Sequence, residues 1–233
     1  MIISYFFKKK FLYGACFIAL LIFAGFWLVY GNETYSVSAP YYNGIPGKQA
    51  VALCINVDWG EDYIPGMLQT LKQHDAKATF FLTGRWTEKF PDTARLIKKY
   101  DMEIGNHGLK HNSPNAMSYE ENIADIKSAE QIFHEVLNIK TVLFAPPSGE
   151  IEEHVQKAAT DAGYQIILWS VDTIDWQKPP KETIVSRVLD HVEDGSIILM
   201  HPTENTSAGL DEILKGLEEK GLKPIPVSEI IDK

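Results

Sequence analysis

Two histidines four residues apart, His107 and His111, stand in the run Ile104-Gly105-Asn106-His107-Gly108-Leu109-Lys110-His111. Imidazole is the commonest protein ligand for a transition metal, and two make half of a tetrahedral Zn²⁺ shell. If one helical turn lies between them, the rings point the same way. The pair alone is a weak signal, because histidines so spaced are more often plain surface residues. Its neighbours strengthen it. Ile104 and Gly105 end an apolar stretch, Gly108 frees the backbone between the imidazoles, and Asn112-Ser113-Pro114-Asn115 is loop chemistry. A strand end opening into a loop is where α/β enzymes place their sites.

Further polar clusters follow other apolar runs. They are Asn56-Val57-Asp58-Trp59-Gly60, Ala145-Pro146-Pro147-Ser148-Gly149, Asp172-Thr173-Ile174-Asp175-Trp176 and Leu199-Met200-His201-Pro202. Any one is ordinary loop polarity, but five on one rim, with three His and several Asp, point to a catalytic face.

The elements that must position them are short apolar runs alternating with helical patterns. Strands are expected at Val51–Val57, Lys77–Leu82, Met102–Gly105, Thr141–Phe144, Tyr164–Val171, Ser196–Met200 and Lys223–Val227. Helices are expected near 62–74, 87–100, 119–137, 150–162, 180–192 and 209–220. In the clearest, Ser118 and Glu121 form a Ser-x-x-Glu capping box ahead of an apolar face of Ile123, Ile126, Ala129, Phe133, Val136 and Leu137. Repeated βα units predict an α/β fold, a parallel sheet of about seven strands closed or nearly closed into a barrel.

Residues 1–30 lie outside that fold. Lys8-Lys9-Lys10 precedes an uncharged run from Phe11 to Tyr30, and twenty residues at ~1.5 Å rise give about 30 Å, enough to cross a bilayer. A cleaved signal peptide fits less well, since Val37-Ser38-Ala39 lies well past the apolar run and is followed by Pro40. The lysines predict a single-pass membrane anchor with its N-terminus in the cytoplasm and residues 31–233 outside. Residues 31–48 read as a linker, and 49–233 as one globular domain. The first 30 residues hold three lysines and no acid, which leaves 19 Lys+Arg against 31 Asp+Glu and a charge of −12 beyond them with His neutral. That argues against nucleic acid or another anionic polymer as partner and leaves neutral glycans open. Cys16 lies in the expected span and Cys54 in a strand, so no disulfide is expected within the domain.

Over residues 48 to about 231 the chain resembles the polysaccharide deacetylase family (carbohydrate esterase family 4). The similarity is carried by Lys77-Ala78-Thr79-Phe80-Phe81-Leu82-Thr83-Gly84, by Glu103-Ile104-Gly105-Asn106-His107 with His111, and by Trp169-Ser170-Val171-Asp172-Thr173-Ile174-Asp175-Trp176. The resemblance implies a distorted (β/α) barrel that removes N- or O-acetyl groups from extracellular glycans such as peptidoglycan, chitin or xylan. It implies that His107 and His111 bind a divalent metal such as Zn²⁺. It makes His201 the general acid, Asp175 the carboxylate that orients it, and Trp176 and Leu199, with Pro147, walls of the substrate pocket. The chemistry is coherent: a metal activates water and polarises the amide carbonyl, a carboxylate takes the proton, and a histidinium returns one to nitrogen.

The pattern breaks at the family's first motif, Thr-Phe-Asp-Asp-Gly, whose first Asp is the base and second a metal ligand. Anchored on the strand, Asn56 takes the base position and Val57 the ligand position. Anchored on Asp-x-Gly, Asp58 is the base and Trp59 replaces the ligand. Either register loses one carboxylate. Alternation puts Asn56 and Asp58 on one face and Val57 on the other. Ala145 also stands where the family has an arginine that fixes the catalytic Asp. A Trp-Gly pair after this strand is similar to a branch of the family found in endospore-forming bacteria, whose members depart from the usual metal motif. Three readings follow: a deacetylase in which Asp58 serves as base or substitute ligand, a glycan-binding pseudoenzyme, and a membrane-anchored scaffold.

Overall fold

The structure, a computed structural model, describes residues 39–232. The expected membrane span, its cytoplasmic tip and residues 31–38 of the linker lie outside the described residues. Among the described residues no helix is long and apolar enough to cross a membrane.

The elements alternate as the sequence pattern predicts. In chain order they are β1 (Ala50–Val57), α1 (Ile64–Gln73), β2 (Thr79–Leu82), α2 (Gly84–Lys89), α3 (Pro91–Lys99), β3 (Glu103–Asn106), α4 (Tyr119–Leu137) and β4 (Leu143–Phe144). There follow α5 (Glu153–Asp161), β5 (Gln165–Ile166), β6 (Val171–Asp172), α6 (Lys181–Leu189), β7 (Ile197–Met200), α7 (Glu204–Glu219), β8 (Lys223–Pro224) and α8 (Val227–Ile231). The strands pair in parallel in the order β5-β4-β3-β2-β1-β7-β6, and β8 joins the start of β1. The path makes a half-barrel whose ladder does not close between β5 and β6. Residues 41–44 reach both sides of the gap: Tyr41 N–H donates to the Ile166 carbonyl at 2.9 Å and its carbonyl accepts from Leu168 N at 2.8 Å, while Gly44 N donates to the Gly195 carbonyl, ahead of β7, at 2.7 Å.

Strand β1 explains why the core has two sides. Val51, Leu53, Ile55 and Val57 face outward into an apolar layer with helix residues such as Met67, Leu71 and Leu210. Ala50, Ala52 and Cys54 face inward with Phe81, Leu143 and Ile197. Small residues on the inner face leave room for the Phe81 ring.

Four expected elements differ, the first being the strand expected at Lys223–Val227, which ends at Pro224 and gives way to α8 at Val227. The run 164–171 is not one strand, because Ile166 bonds to β4 while Val171 bonds to β7 across the seam. The helix expected at 87–100 is two, since Phe90 leaves helical geometry (φ −124°, ψ 56°) and Pro91 cannot supply the N–H that would continue the first helix. The last helical pattern starts five residues early, at Glu204, because the Thr203 hydroxyl accepts from Thr206 N at 3.0 Å and caps it. Helix α4 spans the expected residues, with both halves of its capping box made.

Ser118→Ala should destabilise the domain by about 1 kcal/mol, read as a lower denaturation midpoint at unchanged slope; an unchanged midpoint would remove the cap's role. Burial, and secondarily the charge of Glu103, push the Cys54 thiol well above its ordinary value. In a Cys16→Ser protein, a thiol-labelling reagent should therefore react only after denaturant is added, and labelling of the native protein would contradict this packing.

Candidate active site

A cavity of about 430 Å³ is lined by residues that follow or end β1, β3, β6 and β7, among them Asn56, Asp58, His107, His111, Leu199 and His201. The sequence clusters therefore do meet on one rim. A neighbouring cavity of about 520 Å³ shares Trp59 and Trp176 with the first and adds Tyr63, Lys178 and Glu204. Leu199 is buried in the wall, and Trp176 stands out from it, 56 % exposed. Pro147 is buried and does not line the cavity, and its neighbour Ser148 takes the lining position expected of it.

Asp175 and His201 form a fixed pair. Asp175 is fully buried. Its carboxylate accepts from the His201 backbone N–H at 2.7 Å and from Thr206 Oγ1 at 2.6 Å, and it meets His201 Nδ1 at 2.7 Å. A carboxylate partner at Nδ1 fixes the ring and turns Nε2 toward the cavity. The Asp175 turn is strained. Ile174, a β-branched residue, sits in the left-handed region at φ 50°. The strain is held by Ile174 N donating to Asp172 Oδ1 at 2.8 Å and by Arg187 donating to the Thr173 carbonyl at 2.7 Å. Above the pair, Trp59 stacks on the His201 ring, with centroids 5.9 Å apart and planes 9° apart. Gly60 makes this approach possible: a Cβ there would come within 2.1 Å of the Pro202 carbonyl.

His107 and His111 also meet, although not on a helical turn. The segment between them is irregular, with Gly108 at φ 79° and His111 itself left-handed at φ 55°. A Cβ on Gly108 would lie 2.6 Å from Asp125 Oδ2, which accepts from Leu109 N at 2.7 Å. The two rings end 5.0 Å apart, centroid to centroid, at 75°. His107 Nδ1 lies 2.6 Å from the carbonyl of Ala145. A carbonyl only accepts, so Nδ1 carries the proton and Nε2 keeps its lone pair. Burial first, then the neighbouring His111, pull the His107 pKa from 6.5 down to about 3, so the ring is neutral at physiological pH.

The end of β1 shows what became of the first motif. Val57 is fully buried in the outer layer, while Asn56 and Asp58 line the cavity. The Asn56 Oδ1 is buried without a hydrogen-bond partner among the described residues. Asp58 is taken. One oxygen accepts from Thr83 Oγ1 at 2.8 Å and from Arg85 Nε at 2.7 Å, and the other accepts from Arg85 Nη2. Thr83 and Arg85 were not anticipated from sequence. The available signal was an arginine in the first turn of a helix, where the macrodipole disfavours a cation unless something offsets it.

These residues do not fit a catalytic metal with three protein ligands. His107 presents a lone pair at Nε2 and His111 lies beside it, but among the described residues no three His, Cys, Asp or Glu side chains gather where one ion could sit. Ala145 supplies a carbonyl to His107 and has no guanidinium to offer Asp58.

The His107 shift sets a pH dependence. In the unfolded chain its imidazole takes a proton near pH 6.5, and the folded ring refuses one until about 3. The unfolded state thus binds more protons between those values, and the stability contributed by neutral His107 is lost as pH falls through that window, by up to about 1.4 kcal/mol per pH unit. His107→Gln should show a shallower fall of stability between pH 6.5 and 4 than the parent, whatever its stability at pH 7. Equal slopes would show that His107 is not buried neutral.

Comparison with known proteins places the chain in a family. The polysaccharide deacetylase family model matches residues 43–167. The Bacillus subtilis protein YlxY is 36 % identical over 194 residues, which cover 83 % of this chain and 61 % of YlxY, so the chain spans about three fifths of that relative's length. A peptidoglycan-N-acetylglucosamine deacetylase of Bacillus cereus is 35 % identical over 195 residues, 80 % of this chain and 91 % of that protein. Among solved structures, a CE4-family pseudoenzyme from Bacillus anthracis aligns with TM-score 0.81 at 39 % identity, covering 84 % of this chain and 69 % of its own. A mutant of that protein with restored enzymatic activity aligns with the same score at 38 % identity, covering 84 % and 72 %. The chain belongs to the polysaccharide deacetylase family.

Proposed function

We propose that this domain binds an N-acetylated cell-wall glycan in the rim groove and has little or no deacetylase turnover. The observation that carries the reading is the division of the site into an assembled half and a dismantled half. Asp175, His201 and the Leu199 and Trp176 walls are in place. Asn56 stands at the base end of β1, where an amide cannot take a proton from water, and Asp58 has both oxygens committed to Thr83 and Arg85. The Bacillus anthracis neighbour is itself called a pseudoenzyme, which supports a reading of little turnover. The two adjoining cavities, with exposed Trp59 and Trp176 at their junction, suit sugar rings, whose C–H faces stack on aromatic side chains while their hydroxyls bond to polar rims. The reading takes residues 31–233 to be outside the cell membrane, held by Phe11–Tyr30, on the strength of the lysine and apolar pattern in the sequence.

A second reading, an active deacetylase, is favoured by the intact acid pair. There Asp58 would leave Arg85 to take a proton from the attacking water, and His201 Nε2 would protonate the leaving nitrogen of the acetamide.

Titration with chitotetraose should show binding that Trp176→Ala weakens roughly tenfold, with no acetate released. Asn56→Asp combined with Ala145→Arg should raise acetate release from peptidoglycan. Parent release that Asp58→Asn abolishes would favour the active enzyme instead. Absence of binding to chitotetraose and to peptidoglycan would reject both glycan readings and favour a scaffold.

A further inference from the structure

We propose that Arg85 is the residue that keeps this rim from holding a divalent cation, because it occupies the one carboxylate that β1 delivers to the cavity of His107 and His111. The inference rests on the reading above that the metal half is dismantled, and it names the cause within this chain.

Asp58, His107 and His111 line the same cavity. Two imidazoles lack the anionic oxygen that completes a His₂-carboxylate metal shell, and Asp58, the residue after β1, is the carboxylate at the end of that strand that shares their cavity. Its carboxylate is instead forked by the guanidinium, through Nε at 2.7 Å and through Nη2, with Thr83 Oγ1 adding a bond at 2.8 Å. A bidentate guanidinium–carboxylate pair is among the stronger and more directional of ion pairs, and it competes with a cation for the same lone pairs.

The frame around the pair is well tied. Thr83 N donates to the Val57 carbonyl at 3.0 Å, Gly84 N to Gly108 at 2.9 Å and Arg85 N to Leu109 at 2.8 Å. The first turn of α2 is therefore bonded both to β1 and to the loop that carries the imidazoles, so guanidinium, carboxylate and histidines share one support. The Asp58 side chain is 7 % exposed and that of Arg85 52 %. Among the described residues the hydrogen bonds of the Arg85 guanidinium all go to Asp58. Removing it leaves Thr83 Oγ1 on one carboxylate oxygen and releases the other.

The probes are Zn²⁺, measured by calorimetry, and Co²⁺, whose visible absorption reports tetrahedral coordination. Arg85→Ala and, as a second variant of similar length, Arg85→Gln should bind either ion about 10- to 100-fold more tightly than the parent. The gain should vanish when Asp58→Asn or His111→Ala is added. Thermal melts establish that each variant is folded. Weak binding by the parent that neither arginine variant improves overturns this inference and leaves the proposed function standing. A gain that survives Asp58→Asn also overturns it. Parent protein that already binds Zn²⁺ as tightly as the arginine variants overturns the inference and the dismantled-site reading together.

Discussion

Strand β1 is hydrogen-bonded along both edges, to β2 and to β7, and all eight of its residues are buried. A strand so held keeps strict alternation to its last residue, and the register Val57↔Leu82 shows that it does. Only every second side chain can then enter the cavity. Two consecutive carboxylates could not both turn inward from a strand that stays regular through Val57, because the second would be driven into the outer apolar layer at a cost of several kcal/mol. Asn56 and Asp58 on one face, with Val57 in the core, is the arrangement this geometry permits.

The rim therefore carries two carboxylates with different fates. Asp175 is sealed off from water, and its partners are a histidine, that histidine's own backbone and a threonine, an arrangement that orients a ring. Asp58 is paired with a permanent cation and immobilised by it. Ala145 is a small residue of the inner core, and the guanidinium that Asp58 meets comes from Arg85 on another element. The Trp59 side chain stacks on the His201 ring, so the segment after β1 braces the imidazole that Asp175 orients.

Much of this was legible in the sequence. The βα alternation, the capping box of α4 and the five polar clusters could be read because apolar periodicity and turn residues are local signals. The face shared by Asn56 and Asp58 followed from period two alone. The seam was not legible: Tyr164–Val171 is continuously apolar, and nothing local says that its two ends bond to opposite edges of one sheet. The break at Pro91 was visible but masked by the helical pattern on both sides of it. Arg85 was hidden for a related reason. Its meaning depends on Asp58, 27 residues away in the chain, and on a parallel pairing that brings the two strand ends together. The histidine pair was singled out by spacing, although a left-handed His111, not a helical turn, lies where the rings converge.

The open seam gives the domain a mechanical character. Tyr41 is the first residue of the described chain to bond to the sheet, and it bonds where the ladder is interrupted, beside Ile166 and Leu168. A pull on the chain ahead of it would load those two hydrogen bonds first. Next in line are the bonds of Gly44 to Gly195 and Ile45 to Ile230. The long central strand is reached only after these. Force arriving from the N-terminal side would thus meet these bonds before it reached β1. The stretch ahead of β1 works as a strain relief, the way a cord is clamped at a housing so that tugging on it does not reach the solder joints inside.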